Sequence, residues 1–150
     1  MNLQVVPSKP SDLPAVLVLL EAVNLPTEGV AEHFADFLIA RANERVVGCV
    51  GLEKYGSHGL LRSLAVASDF RGQTLGRQLT SHACTYAQAN AIHRIVLLTT
   101  TAADFFTRHF GFKATDRSQL DAIFAASPEW KLPRCASAAC LILTLPRPRE

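Results

Sequence analysis

No apolar run in this 150-residue chain approaches the length of a bilayer span, and no charged start followed by an apolar stretch opens it. The sequence therefore reads as cytoplasmic, with no membrane partner. Its four cysteines, Cys49, Cys84, Cys135 and Cys140, form no Cys-x-x-Cys pair and no metal-ligand spacing with histidine, so neither a metal nor a disulfide framework is expected. Most read as small apolar side chains packed inside; Cys135, in a polar Pro-flanked loop, is kept as a candidate functional thiol. A formal net charge of +2 without a polybasic tract argues against a nucleic-acid partner. Repeats, low-complexity tracts and interdomain linkers are missing too. What the chain has is apolar weight: at 49% hydrophobic it can bury a sizeable core, as one globular domain over residues 1–150.

Periodicity divides that apolar weight into elements. Leu3–Val6 reads as a strand, and Ser11 as the cap of a helix whose apolar positions Leu13, Val16, Leu17 and Leu20 fall on one face. Asn24-Leu25-Pro26-Thr27-Glu28-Gly29 breaks that helix, and a short second one reaches Phe34. Strands at Phe37–Arg41, Val46–Tyr55 and Leu60–Val66, separated by Ala42-Asn43-Glu44 and Gly56-Ser57-His58-Gly59, predict an antiparallel meander. A helix from Leu75 to Asn90 buries Leu75, Leu79, Ala83, Tyr86 and Ala87 against the sheet. Arg94–Thr99, apolar throughout its centre, predicts a strand covered on both faces. A helix at Ala102–Phe110 ends at Gly111, and late strands at Phe112–Thr115 and Ala139–Leu145 close the sheet. Between them lie a short amphipathic stretch with Leu120, Ile123 and Phe124, and a proline-rich loop.

The segment with most chemistry is Arg71-Gly72-Gln73-Thr74-Leu75-Gly76, set between a strand and a helix. A strand that turns through glycines into a helix directs unpaired N–H groups and the positive end of a helix dipole at one spot, which suits a phosphate. Arg71 and Arg77 add positive charge at either end. The loop lacks the Gly-Lys-Ser/Thr ending of a nucleoside-triphosphate site and the Gly-x-Gly-x-x-Gly of a dinucleotide site. By itself it is equally a tight turn.

Leu64-Ala65-Val66 and the Arg71–Gly76 loop, followed later by Phe105-Phe106 and Gly111-Phe112, resemble the GNAT superfamily of acyl-CoA-dependent N-acetyltransferases. The resemblance spans nearly the whole chain. It implies an α/β (α+β) GNAT fold: a central mixed, mostly antiparallel sheet flanked by helices and splayed between its fourth and fifth strands. It also implies acetyl-CoA as acyl donor and direct transfer to an amine in a ternary complex. Leu64, Ala65 and Val66 would hold the pantetheine arm and the thioester carbonyl. Arg71, Gly72, Gln73, Thr74, Leu75, Gly76 and Arg77 would take the pyrophosphate. The family pattern has glycine where this chain has Thr74. The family's usual tyrosine acid is replaced by Phe105, Phe106 and Thr107, and no tyrosine follows Tyr86.

Where some members carry a glutamate base this chain has Leu60, and Glu53, near the end of the preceding strand, is the substitute; its bland alternative is a solvated strand-end charge. Arg62, by period-two alternation on one face with Leu60, Leu64 and Val66, would meet a substrate carboxylate or, alternatively, an internal partner such as Glu53. The five histidines, His33, His58, His82, His93 and His109, read as surface or capping residues, and Trp130 as an anchor for the late loop or a cover over the acceptor.

A closer resemblance lies in Gly48–Gly56, Leu60–Val66, Leu97–Ala102 and Cys135–Ala138. These segments look like the GNAT subgroup of bacterial arsenic-resistance operons, itself similar to the acetyltransferase domain of N-acetylglutamate synthase. Membership would imply a small primary amine as partner, an acidic amino acid or an organoarsenical analogue, met by Arg62 with Ser137 and the Leu25–Gly29 loop shaping the pocket. A homodimer is left open, and so is an acyl-CoA-binding module without catalysis.

Overall fold

Turn chemistry sets four strands side by side in the computed structural model, which describes residues 3–72 and 74–146. These are β1 (Leu3–Pro7), β2 (Phe37–Ala42), β3 (Arg45–Tyr55) and β4 (His58–Val66), each antiparallel to the next. Asn43, with φ of 57°, turns β2 into β3, and asparagine tolerates that left-handed region better than most residues. Beyond β4 the sheet continues with β5 (Arg94–Thr99), β7 (Ala139–Thr144) and β6 (Lys113–Ala114), in the order β1-β2-β3-β4-β5-β7-β6. Only β4 and β5 pair in parallel, through the crossover helix α3 (Leu75–Ala89). The fold is the predicted mixed, mostly antiparallel GNAT sheet with flanking helices.

From Val47 to Glu53 every residue of β3 is buried, as in a strand covered on both faces. The larger core joins α1 (Leu13–Ala22) and α3 to the sheet through Val16, Leu20, Leu79 and Ala83. A second cluster, Leu60, Val96, Leu120, Phe124, Trp130 and Cys140, lies under the late segment. There Trp130 stacks on Phe124 at 4.8 Å between centroids, donates its indole N–H to Asp121 and carries the Arg117 guanidinium over its ring. Arg117 also donates to the Cys135 and Trp130 carbonyls, closing the loop on itself. Of the two roles open to Trp130, the structure shows the anchor.

Two local expectations are corrected. Ser11 does not cap α1: Pro10–Asp12 forms a short 3-10 turn, and Asp12 accepts from the Lys9 N–H while pairing with Arg41 at 2.5 Å. Nor does alternation run unbroken along β4. Cys49 pairs with Ala65 but Gly51 with Arg62, so Val50 alone faces two residues, Ser63 and Leu64. Ser63 adopts a φ of 60°, the mark of a β-bulge. After it Leu64 and Val66 pack against the larger core, whereas Leu60 belongs to the second.

β4 and β5 pair only at His58–Leu60 with Arg94–Val96, and the two strands separate past that point. Trp130 packs in the same cluster as Leu60 and Val96, the last pair of that ladder. Trp130→Ala is expected to cost about 3–5 kcal/mol, the usual range for removing a buried aromatic. Urea unfolding measures it, and a loss well under 1 kcal/mol would show that the late loop is held otherwise.

Candidate active site

Past Leu60 the β4 backbone has no ladder partner on its β5 side, and the gap leads into a cavity of about 210 Å³. Asn24, Leu25 and Pro26 between α1 and α2 (Val30–His33) form one wall; Leu61–Leu64 of β4 and Leu97–Thr99 of β5 form the floor. Phe106 of α4 (Ala103–Phe110) and Glu129, Cys135 and Ala138 of the late segment complete it. Gly29 brings the two loops together. Its φ of 81° is left-handed, and a Cβ there would meet Pro128 at 3.0 Å and the Arg62 guanidinium at 3.1 Å.

Arg62 and Glu53 form the polar centre. Both side chains have no solvent exposure, and Arg62 reaches Glu53 Oε2 at 2.7 Å. The guanidinium also donates to Ser63 Oγ at 3.0 Å and to the Pro26 carbonyl at 3.3 Å. Glu53 Oε1 accepts from the Tyr55 hydroxyl at 2.5 Å and lies 3.6 Å from His33 Nε2. Glu53 is thus no solvated strand-end charge, and of the two partners open to Arg62 it is the one in contact. Burying a guanidinium requires such an anion, and the strand pairing Glu53↔Leu60 and Gly51↔Arg62 places one there.

Glu129 was passed over in the sequence. Its side chain is 8% exposed, with Nε of Arg62 4.0 Å from Oε1 and no hydrogen-bond partner for Oε2 among the described residues. Burial pushes its carboxyl up from 4.5 to about 7; Arg62 pulls it down, and Glu53 and Glu28 push it up further. The available signal was a carboxylate beside the one tryptophan, in a loop rich in apolar residues. His33, read as surface, in fact touches Glu53.

At the far end of β4 a shallow hollow is lined by Val66, Arg71, Gly72, Thr74, Leu75, Gly76, Arg77 and Phe105, where α3 begins. A 15-residue helix begins here, and its first N–H groups have no partner within the helix. Gly72 has a φ of 80°, and a side chain at Gly76 would approach the Phe105 ring at 3.8 Å. Thr74 also sits in the left-handed region, at φ of 62°, which explains the family's glycine at this position. Its carbonyl accepts the Gln78 N–H at 3.1 Å. Gln73 lies outside the described residues. Leu64 lines the cavity, Val66 lines the hollow and Ala65 is buried between them, so the end of β4 joins the two. Ser137 opens instead on a neighbouring hollow with Thr99–Thr101 and Asp104.

The two tyrosines are committed elsewhere: Tyr55 to Glu53, Tyr86 to Asp36. Both hydroxyls are pushed up by burial and by those carboxylates. Cys49, Cys84 and Cys140 are packed thiols, pushed up by burial to about 12, 11 and 11. Among the described residues no cluster of His, Cys, Asp or Glu has the makings of a metal site, and no helix is long and apolar enough to cross a membrane.

A family model described as acetyltransferase (GNAT) family matches residues 12–112. An uncharacterised N-acetyltransferase of Chlorobaculum tepidum is 29% identical over 91 residues, 60% of this chain and 57% of that protein. The N-acetylglutamate synthase of Neisseria gonorrhoeae, solved with coenzyme A and N-acetyl-glutamate, superposes with a TM-score of 0.82 at 20% identity, over 98% of this chain but 36% of that one. Rv2747 of Mycobacterium tuberculosis, solved with CoA, gives a TM-score of 0.78 at 22% identity, over 95% of this chain and 99% of its own. At these identities the likeness to solved structures carries the fold.

Two stability measurements follow from the buried charges. Arg62→Leu removes the guanidinium from the buried Glu53 carboxyl and is expected to lose about 3–5 kcal/mol, with Glu53→Leu added in the same chain restoring a large part. A double-mutant cycle by urea unfolding reads this; additive losses would show that the pair is not coupled. Glu129 acts oppositely with pH. Its folded-state pKa is raised, so its contribution is fully present below about 4.5 and is lost as pH rises through about 7. Glu129→Gln should therefore gain on the wild type as pH rises, by about 3 kcal/mol at pH 8. A difference independent of pH would contradict the raised pKa.

Proposed function

The chain belongs to the GNAT family of acetyltransferases, and on that premise we propose that it transfers the acetyl group of acetyl-CoA to the nitrogen of a small primary amine within one ternary complex. The observation that carries this reading is the opening of β4 from β5, with a cavity at one end and the glycine-cornered start of α3 at the other. The donor's pantetheine arm fits along the gap, and its pyrophosphate fits the hollow of Arg71, Gly72, Thr74, Leu75, Gly76 and Arg77. Gln73 takes part by resemblance. Relatives solved with coenzyme A support the choice of donor.

With the thioester beside Leu64–Val66, backbone N–H groups freed by the opened ladder stabilise the oxyanion formed on attack. The amine enters from the 210 Å³ cavity. Phe106 stands in the cavity wall, where no hydroxyl is available from it to protonate the departing sulfur. A thiolate with a free thiol pKa of about 8.5 is stable enough to leave without that help.

A second reading of the acceptor, an acidic amino acid or its organoarsenical analogue, draws on Arg62, which lines the cavity. Because Arg62 is already matched by Glu53, we place this reading second. Thioester cleavage with a panel of amines and amino acids, beside calorimetry with CoA, tests the function. Turnover with a small amine is expected; CoA binding without turnover on any amine would instead make the chain a non-catalytic acyl-CoA-binding module. Gly76→Asp adds bulk and a negative charge beside Phe105 at the helix start, and should weaken CoA binding by about 2 kcal/mol or more while the fold is kept. Unchanged affinity in a folded variant would sink the phosphate placement.

A further inference from the structure

Three charged side chains meet at the inner end of the cavity, and they do not balance. Arg62 is spent on Glu53, at 2.7 Å with both side chains wholly buried. Glu129 is the surplus acid: it lines the cavity, is over nine-tenths buried, and its Oε2 has no hydrogen-bond partner among the described residues. A buried carboxylate oxygen left unpaired is costly unless some donor arrives to meet it. Around it the walls are largely apolar, with Leu25, Pro26, Leu97, Phe106 and Ala138.

We propose that Glu129 receives the acceptor's ammonium group at Oε2 and takes its proton, and that the cavity therefore selects a small primary amine on an apolar body over one carrying a further negative charge. This rests on the acetyltransferase reading above. The step balances as follows. The ammonium gives one proton to Glu129, and the neutral nitrogen forms a bond to the thioester carbonyl carbon. The carbon–sulfur bond breaks with its electron pair going to sulfur, the remaining extra proton on nitrogen passes to that thiolate, and the Glu129 proton leaves to solvent. Products are the acetamide and free CoA. Glu53 is less well placed for this: it does not line the cavity, and each of its oxygens already accepts a hydrogen bond.

Burial sets the protonation of Glu129 together with Arg62 on β4, Glu53 on β3 and Glu28 before α2, and the nearby His33 and Tyr55 touch Glu53. Their sum with burial brings the carboxyl to about 7, where it is ionised often enough to accept a proton and weak enough to release it.

The test is the pH profile of kcat/KM with the best amine found for the wild type. An acid limb with an apparent pKa near 7 is expected. Glu129→Gln should lose the limb and about 10²–10⁴-fold in rate with the KM for acetyl-CoA unchanged, whereas Glu129→Asp should keep the limb at reduced rate. Thermal unfolding of each variant confirms the fold. The wild type should also prefer alaninamide to aspartate, and Glu129→Gln should narrow that preference at least about tenfold. An active wild type whose limb survives in Glu129→Gln, or whose preference is unchanged in it, overturns the inference while leaving the acetyltransferase reading standing. A wild type that acetylates no amine overturns that reading and the base role with it.

Discussion

Placing a guanidinium inside a β-sheet is the constraint on which the rest of the site depends. Arg62 cannot be buried without an anion, and the antiparallel pairing of β3 with β4 supplies Glu53 within 2.7 Å. Once the pair exists, its remaining donors reach outward. The Pro26 carbonyl ties down the turn between α1 and α2, and Ser63 Oγ ties down the bulge. Gly29 lets that turn press against Pro128 and Arg62 together. One ion pair thus organises three walls of the cavity, and its cost in desolvation is repaid as geometry. Buried pairs are often neutral for stability compared with apolar substitutes, so the selective value of this one lies in what it positions.

The bulge at Ser63 has its own consequence. An extra residue in β4 changes which way the strand presents its side chains, and from Leu61 onward the strand no longer pairs with β5. Backbone groups that would be satisfied by a neighbouring strand are left for a ligand. A continuous ladder would have closed the gap and left no path between the cavity at Leu64 and the α3 start at Val66. Here a local irregularity in hydrogen bonding is the condition for a binding cleft.

How much of this was legible beforehand divides along physical lines. β5 (Arg94–Thr99) was read to its ends because a continuous apolar run between polar flanks has one sensible burial, and α3 was read to within a residue because its apolar stripe and Gly76 mark its start. The mixed, mostly antiparallel sheet and its splay came with the family resemblance, and the order of its strands came with the structure. The bulge was not legible, since no residue type demands it and Ser63 merely tolerates its positive φ. Glu129 was invisible for a related reason: the late segment has neither helix nor strand period, so burial could not be inferred from pattern. Only Trp130, whose size needs a packing partner, hinted that the loop folds inward. The Glu53–Arg62 contact was foreseen as one of two alternatives, because the residues lie on adjacent strands and have opposite charge.

Two carboxylates around one cation also divide their labour by environment. Glu53 accepts from Arg62 and from Tyr55, one donor on each oxygen, and serves as the counter-ion of the buried guanidinium. Glu129 shares the same cation only at 4.0 Å, feels the like charge of Glu53, and is held near neutrality by burial. Glu53 holds Arg62 beneath the cavity, whereas Oε2 of Glu129 has no hydrogen-bond partner among the described residues. Separation of this kind, in which one acid holds the scaffold and a nearby one is left free to titrate, is how a small cavity in a GNAT sheet can keep a rigid floor and a responsive wall within a few ångströms of each other.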